Sequence, residues 1–190
     1  WLNTLESRVG SVLVCDGSIF CSRRELFETL DPELANDLEQ PIKIGSRGYK
    51  LLYEQNAWSS ERQTSSAKQE FSRRRRICGQ GFLGMWRLRK SLHGLRLWQF
   101  ISRKFLRWLT LLPLLGILAT TIALAYLGSY FFRAISIAQF LFYVLAFAGW
   151  LATLKGRTAG RLISIPFFYV LANVAAFIGV VDTLLGKRYG

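Results

Sequence analysis

LTLLPLLGILATTIALAYLGSYFF, residues Leu109 to Phe132, is a run of 24 residues without a charged side chain. Ala134 to Leu154 adds 21 more and Leu162 to Val181 another 20. At about 1.5 Å per helical residue, each run is long enough to cross a hydrocarbon core about 30 Å thick. A single such run could be a buried core helix, but three in a chain of 190 residues leave no soluble shell to bury them. A soluble single domain is excluded, and the reading is about three membrane-spanning helices over 109–132, 134–154 and 162–181.

The charge is segregated around these runs. Residues 1–61 carry 6 basic and 10 acidic side chains, residues 62–107 carry 13 and 1, and residues 108–190 carry 6 and 1. The formal net charge of +13 is therefore a property of one stretch and not of the whole surface. The first connection between runs holds only Arg133, whereas the second, Lys155-Gly-Arg-Thr-Ala-Gly-Arg161, holds three basic residues. By the positive-inside rule, residues 1–107 and the 155–161 loop lie in the cytoplasm, with Lys187 and Arg188 on the far side. The predicted location is the cell (inner) membrane. Trp1 is not an initiator, and the sequence reads as entering a larger protein midway.

Immediately before the first run, Leu97, Trp98, Ile101, Phe105 and Trp108 fall on one side of a helix, and Arg96, Gln99, Arg103 and Arg107 on the other. This predicts an amphipathic segment over 87–108 lying in the headgroup region with Trp anchors. Basic residues interleaved with aromatics also suit nucleic acid, but direct continuation into a spanning run favours the bilayer, and no nucleic-acid partner is expected. Cys15, Cys21 and Cys78 form no C-x-x-C pair and read as reduced structural thiols. His93, the only histidine, sits beside Gly94 in this basic stretch and is not read as catalytic.

Residues 1–86 read as part of an α/β domain. Val9 to Cys15 suggests a buried strand, continued by Ser18 to Cys21 after Asp16-Gly17, and Arg23 to Leu30 a helix that Asp31-Pro32 breaks. Leu34, Leu38, Pro41, Ile42 and Gly45 then recur at helical spacing, with Asn36 or Asp37 as cap and Gly48 as stop. Tyr49 to Tyr53 reads as a second strand. Ser66 and Gln69 form a capping box for a helix that carries Arg73 to Arg76. Four consecutive arginines cannot share one face; Arg73 and Arg76 do, with Gln69 and Gln80, while Arg74 and Arg75 lean toward Phe71, Cys78 and Phe82.

Three segments carry a resemblance: Asn36-Asp-Leu-Glu-Gln-Pro-Ile-Lys-Ile-Gly-Ser-Arg-Gly-Tyr49, Leu51-Leu-Tyr-Glu-Gln-Asn-Ala57 and Glu70-Phe-Ser-Arg-Arg-Arg-Arg-Ile-Cys-Gly-Gln80. In order and spacing they resemble the acceptor-side half of membrane-bound family 2 glycosyltransferases. There an acidic pair opens a helix ending in Arg-x-Gly-Tyr, followed by Tyr-Glu and a Gln/Arg-x-x-Arg-Trp-like motif. Upstream, Asp16-Gly-Ser-Ile-Phe-Cys-Ser-Arg-Arg-Glu-Leu26 is similar to the family's acceptor segment. The resemblance implies a partial GT-A type domain and inverting transfer of a sugar from a nucleotide-diphosphate donor to a saccharide or polyprenyl-linked acceptor.

By this resemblance Asp37 is the catalytic base, Arg73 and Arg76 bind the donor diphosphate, and Asp16, Gly17 and Ser18 shape the acceptor pocket. It also implies a divalent metal, Mg or Mn, whose Asp-x-Asp site is not in this sequence. Asn36 stands where the family has its first acid. Ile77 stands where polymer-forming members have Trp, which points to a non-processive enzyme or a divergent member. The competing reading is a non-enzymatic membrane protein whose basic collar binds anionic lipid or a partner subunit.

Overall fold

The computed structural model describes residues 2–15, 17–61, 66–92, 94–157 and 159–189. Its helices are α1 (Leu2–Val9), α2 (Asn36–Ser46), α3 (Ala67–Arg87), α4 (Leu95–Phe100), α5 (Leu106–Trp108), α6 (Leu111–Tyr126), α7 (Tyr130–Leu154) and α8 (Arg161–Leu184). A π-helical stretch, Ile101–Phe105, joins α4 to α5. Among the described residues there is no strand. The expected α/β domain is therefore corrected to an all-helical arrangement.

The reason is visible where the two expected strands meet. Val12 N–H donates to the Leu51 carbonyl at 3.0 Å, so the segments do lie side by side. The next donors, however, go to hydroxyls: Leu51 N–H to Ser11 Oγ at 2.9 Å and Tyr53 N–H to Ser7 Oγ at 2.7 Å. A ladder needs successive main-chain pairs, and serine side chains take those positions here. Val9, read as a strand start, instead ends α1. The helix expected over 23–30 shrinks to a 3-10 turn, Arg24–Leu26. Side chains of α2 bond carbonyls from this region, Gln40 Nε2 to Leu26 O and Lys43 Nζ to Thr29 O, both at 3.4 Å.

Contacts divide the chain into two compact units. The first comprises residues 1–63, 76–107 and 179–190. Its core joins Val12, Leu26, Ile44 and Leu51, with Cys15 packed against them. α2 packs on the later part of α3 through Leu38, whose Cδ2 lies 3.1 Å from where a Cβ on Gly84 would stand. Burying a leucine to this degree contributes roughly 2–3 kcal/mol. α2 ends as its sequence predicts, with Gly48 at φ +87° and its N–H on the Gly45 carbonyl at 3.1 Å. Its cap position is held by Ala35, with no side-chain cap bond, so Asn36 and Asp37 lie within the first turn.

In the same unit Thr183 Oγ1 donates to the Gly79 carbonyl at 3.2 Å, and Gln80 Nε2 to the Tyr189 carbonyl at 2.7 Å. Lys187 and Arg188 thus fold together with residues 1–63 and 76–107, against the expectation that they lie across the bilayer from them.

The second unit comprises residues 64–75 and 108–178. Ser66 Oγ accepts the Gln69 N–H at 3.2 Å, the predicted cap of α3. α6 and α7 form a hairpin whose turn, 127–129, uses Gly128 at φ +96°. The first uncharged run therefore contains a turn and is not one continuous helix. Arg133, expected in the connection, lies in the first turn of α7; its Nε donates to the Ala125 carbonyl at 3.3 Å and its guanidinium sits 5.3 Å from the Tyr130 ring centre. α7 and α8 approach closely at Gly149, where a Cβ would stand 2.6 Å from Phe167 Cβ.

α7, with 25 residues, and α8, with 24, are each long and apolar enough to cross a membrane. α6, with 16, spans only about 24 Å. It passes the same test only when joined to Leu95–Trp108 across a 59° bend. Three expected spans become two full-length helices and one broken pair.

Candidate functional site

Asp37 is positioned by a defect that the sequence builds into α2. Pro41 lies four residues further on and has no N–H, so the Asp37 carbonyl loses its intrahelical donor. That carbonyl accepts the Cys15 N–H at 3.0 Å instead. The bond ties the first turn of α2 to the loop that holds Gly17. A methyl built on Gly17 would lie 3.8 Å from Asp37 Cβ, an ordinary contact. The Asp37 side chain is half-buried and sits in the first helical turn, where the helix dipole favours a carboxylate.

The two residues open onto a recess of about 320 Å³ that Cys15, Arg103, Lys104 and Arg107 also line. Arg103 and Lys104 come from the π-helical stretch joining α4 to α5, and Arg107 from α5. An ideal α-helix over 95–108 would set Trp108 in line with Leu97 and Trp98. The π-helical stretch adds a residue to a turn and shifts everything after it. Beyond it Trp108 is buried; ahead of it, within α4, Phe100 is wholly buried and Gln99 is buried, while Trp98 is 66% exposed. Leu95, Leu97, Ile101 and Leu106 are exposed with Trp98.

Within the recess the cations differ. Arg103 is ion-paired with Glu6 and also donates to Asn3 Oδ1 at 2.9 Å. Lys104 is half-buried and lies outside the two full-length spanning helices. Burial pushes its ammonium pKa below the usual lysine value; Asp37 and Cys78 act in the opposite direction, and Arg107 and Arg103 reinforce the lowering. Lys104 and Asp37 therefore feel each other's charge across the recess.

The expected site residues separate into those the fold gathers and those it does not. Asp37 and Gly17 come together. Ser18 is exposed and does not line the recess. Asp16 and His93 lie outside the described residues. Arg76 belongs to the first unit and Arg73 to the second; both are exposed, and neither lines the recess. Arg74, beside them, pairs with Glu70 one turn back. The residues that sequence reasoning missed are Lys104, Arg103 and Arg107, the two arginines having been assigned to the polar side of the interfacial helix, opposite its Trp anchors. The available signal was the density of cations in 96–107, but a regular helical projection cannot anticipate a π turn.

Among the described residues no three His, Cys, Asp or Glu side chains come together to hold a metal ion. The carboxylates nearest in sequence are committed elsewhere: Glu39 to Lys43 and the Asp31 N–H, and Asp31 and Glu33 to Arg87. The described residues thus supply no site for the divalent ion that the resemblance implies, and the chemistry below uses side chains alone. Comparison of the chain with protein-family models, with curated proteins and with solved structures finds no match in any of the three.

Proposed function

We propose that this chain is the C-terminal portion of a membrane glycosyltransferase that moves a sugar from a nucleotide-diphosphate donor to a saccharide or lipid-linked acceptor. The observation that carries this is the recess itself: a half-buried carboxylate, a small residue beside it and three cations in one polar hollow. Such a set suits a reaction that removes a proton from a hydroxyl while negative charge builds on a departing diphosphate. In this reading the Asp37 carboxylate takes the proton of the acceptor hydroxyl. That oxygen bonds to the anomeric carbon as the carbon–oxygen bond to the diphosphate breaks, and the electron pair leaves with the diphosphate. Gly17 leaves space for the acceptor beside the base.

The active face lies at the cytoplasmic surface of the cell membrane in this proposal. The packing of residues 179–190 with residues 1–63 and 76–107 supports an even number of crossings, and α7 and α8 supply two. The exposed apolar residues around Trp98 support a segment seated in the headgroup layer. They equally suit the non-enzymatic alternative, a basic collar that holds anionic lipid.

The test is transfer from radiolabelled nucleotide sugars by membranes carrying the full-length protein. Asp37→Asn is expected to lower the rate at least 100-fold with membrane insertion unchanged, the upper range for loss of a positioned base being about 10⁴-fold. Activity within twofold of wild type in Asp37→Asn would remove the base assignment. A modest loss instead marks an acceptor already ionised, such as a polyprenyl phosphate.

A further inference from the structure

We propose that Lys104, carried on the π-helical stretch of the interfacial segment, is the residue that binds the phosphate oxygens of the substrate in this recess, in place of the arginine pair Arg73 and Arg76. The proposal rests on the glycosyltransferase reading for the identity of the substrate, but its claim concerns which side chain holds the anion.

Three observations carry it. First, location: Lys104 and Arg107 line the same recess as Asp37 and Gly17, whereas Arg76, of the same unit, does not. Second, commitment: Arg103, the other lining cation, already spends its guanidinium on Glu6 and Asn3, which fixes it as part of the wall. Lys104 carries three N–H donors on a flexible stem and can follow a ligand as it enters. Third, backbone: the π-helical stretch 101–105 is an unusual conformation in a helix, often found at functional sites, and it sets the register that brings 103, 104 and 107 to one hollow.

The chemistry is consistent with an anion site. Half-buried among Arg103 and Arg107, the Lys104 ammonium is held in a surrounding that disfavours its charge, with Asp37 and Cys78 acting in the opposite direction. A phosphate entering the recess adds negative charge beside these cations and makes charge-assisted hydrogen bonds to the ammonium. It also stays apart in role from Asp37, which must remain available to the acceptor hydroxyl.

The probe is inorganic pyrophosphate, titrated calorimetrically into the full-length protein in neutral-lipid nanodiscs. Wild type is expected to bind, Lys104→Met to weaken binding at least tenfold, Lys104→Arg to restore it to within threefold, and Arg73→Ala and Arg76→Ala each to stay within twofold of wild type. A second measurement needs no variant: acetic anhydride labelling of the wild-type protein, read by mass spectrometry, with Lys104 acetylation suppressed by pyrophosphate and Lys90 acetylation unaffected. The proposal is overturned if wild type fails to bind pyrophosphate at millimolar concentration. It is equally overturned if Lys104 is not protected, or if Arg76→Ala abolishes binding while Lys104→Met leaves it intact. The two readings fail separately. Protection of Lys104 in a protein without transferase activity sinks the function and keeps the anion site; activity with an unprotected Lys104 does the reverse.

Discussion

Gly149→Ala is the most direct probe of how α7 and α8 pack. A Cβ at 149 would stand 2.6 Å from Phe167 Cβ, 3.0 Å from Phe167 Cγ and 3.3 Å from Ile163 Cγ2. Ordinary carbon contacts begin near ~3.5 Å, so the two helices must part by about 1 Å at this level. Overpacking of this kind costs about 1–3 kcal/mol. The higher helix propensity of alanine offsets up to about 1 kcal/mol. The net expectation is a loss of about 1–2 kcal/mol, a factor of roughly 5–30 in the folded-to-unfolded ratio. The assay is reversible unfolding in bicelles, with Gly116→Ala as the matched control: Gly116 lies in α6 of the same unit, and a Cβ there meets nothing within 4 Å. Gly116→Ala should be neutral or slightly stabilising. Because the closest contact is to Phe167 Cβ, Phe167→Ala should leave much of the clash in place, whereas Phe167→Gly should relieve it. Gly149→Ala as stable as Gly116→Ala would refute the close approach.

Two further outcomes follow from the first unit. The Lys104 pKa is lowered on folding, mainly by burial, so between its folded value and the ordinary lysine value the unfolded chain binds more protons, and stability rises with pH across that window. Below the folded value the penalty is constant and complete; Lys104→Met should therefore be more stable than wild type at neutral pH, with the difference shrinking as pH approaches about 10.5 in pH-dependent melting. Trp98, 66% exposed, should contribute to membrane seating and little to folding: Trp98→Ala is expected to reduce binding of an isolated 87–108 peptide to anionic vesicles severalfold, while the melting temperature of the whole protein stays unchanged. A drop of more than about 5 °C would show that Trp98 belongs to the core.

Much of the site was legible only in pieces. The helix carrying Asp37 was readable because the spacing of Leu38, Ile42 and Gly45 and the stop at Gly48 are local signals, and α2 ends where they indicate. That Asp37 and Gly17 meet was implied only by resemblance; what brings them together is the carbonyl freed by Pro41 and taken by Cys15. The strands failed for a different reason. Their apolar pattern was correct, and Val12 and Leu51 are buried together in one core. Whether two such segments form a ladder depends on which acceptors reach the N–H groups, and here the hydroxyls of Ser7 and Ser11 do. The arginine run was the loudest charge signal, yet it does not line the recess. Sequence density of charge reports how much cation is available, not where it is aimed.

By itself the sequence determined that this chain carries helices apolar enough to cross a bilayer, because it holds uncharged runs of 20 or more residues. It also fixed the Ser66 cap of α3 and the Gly48 stop of α2, which depend on neighbours three or four residues apart, though not the cap of α2, which falls on Ala35. Tertiary structure decided the number of full-length spans, through a turn at Gly128 that an uncharged sequence does not announce. It likewise decided which cations face Asp37, through a π turn that shifts the register of every later side chain. Both are matters of backbone conformation set by packing, and one-dimensional patterns of polarity do not contain them.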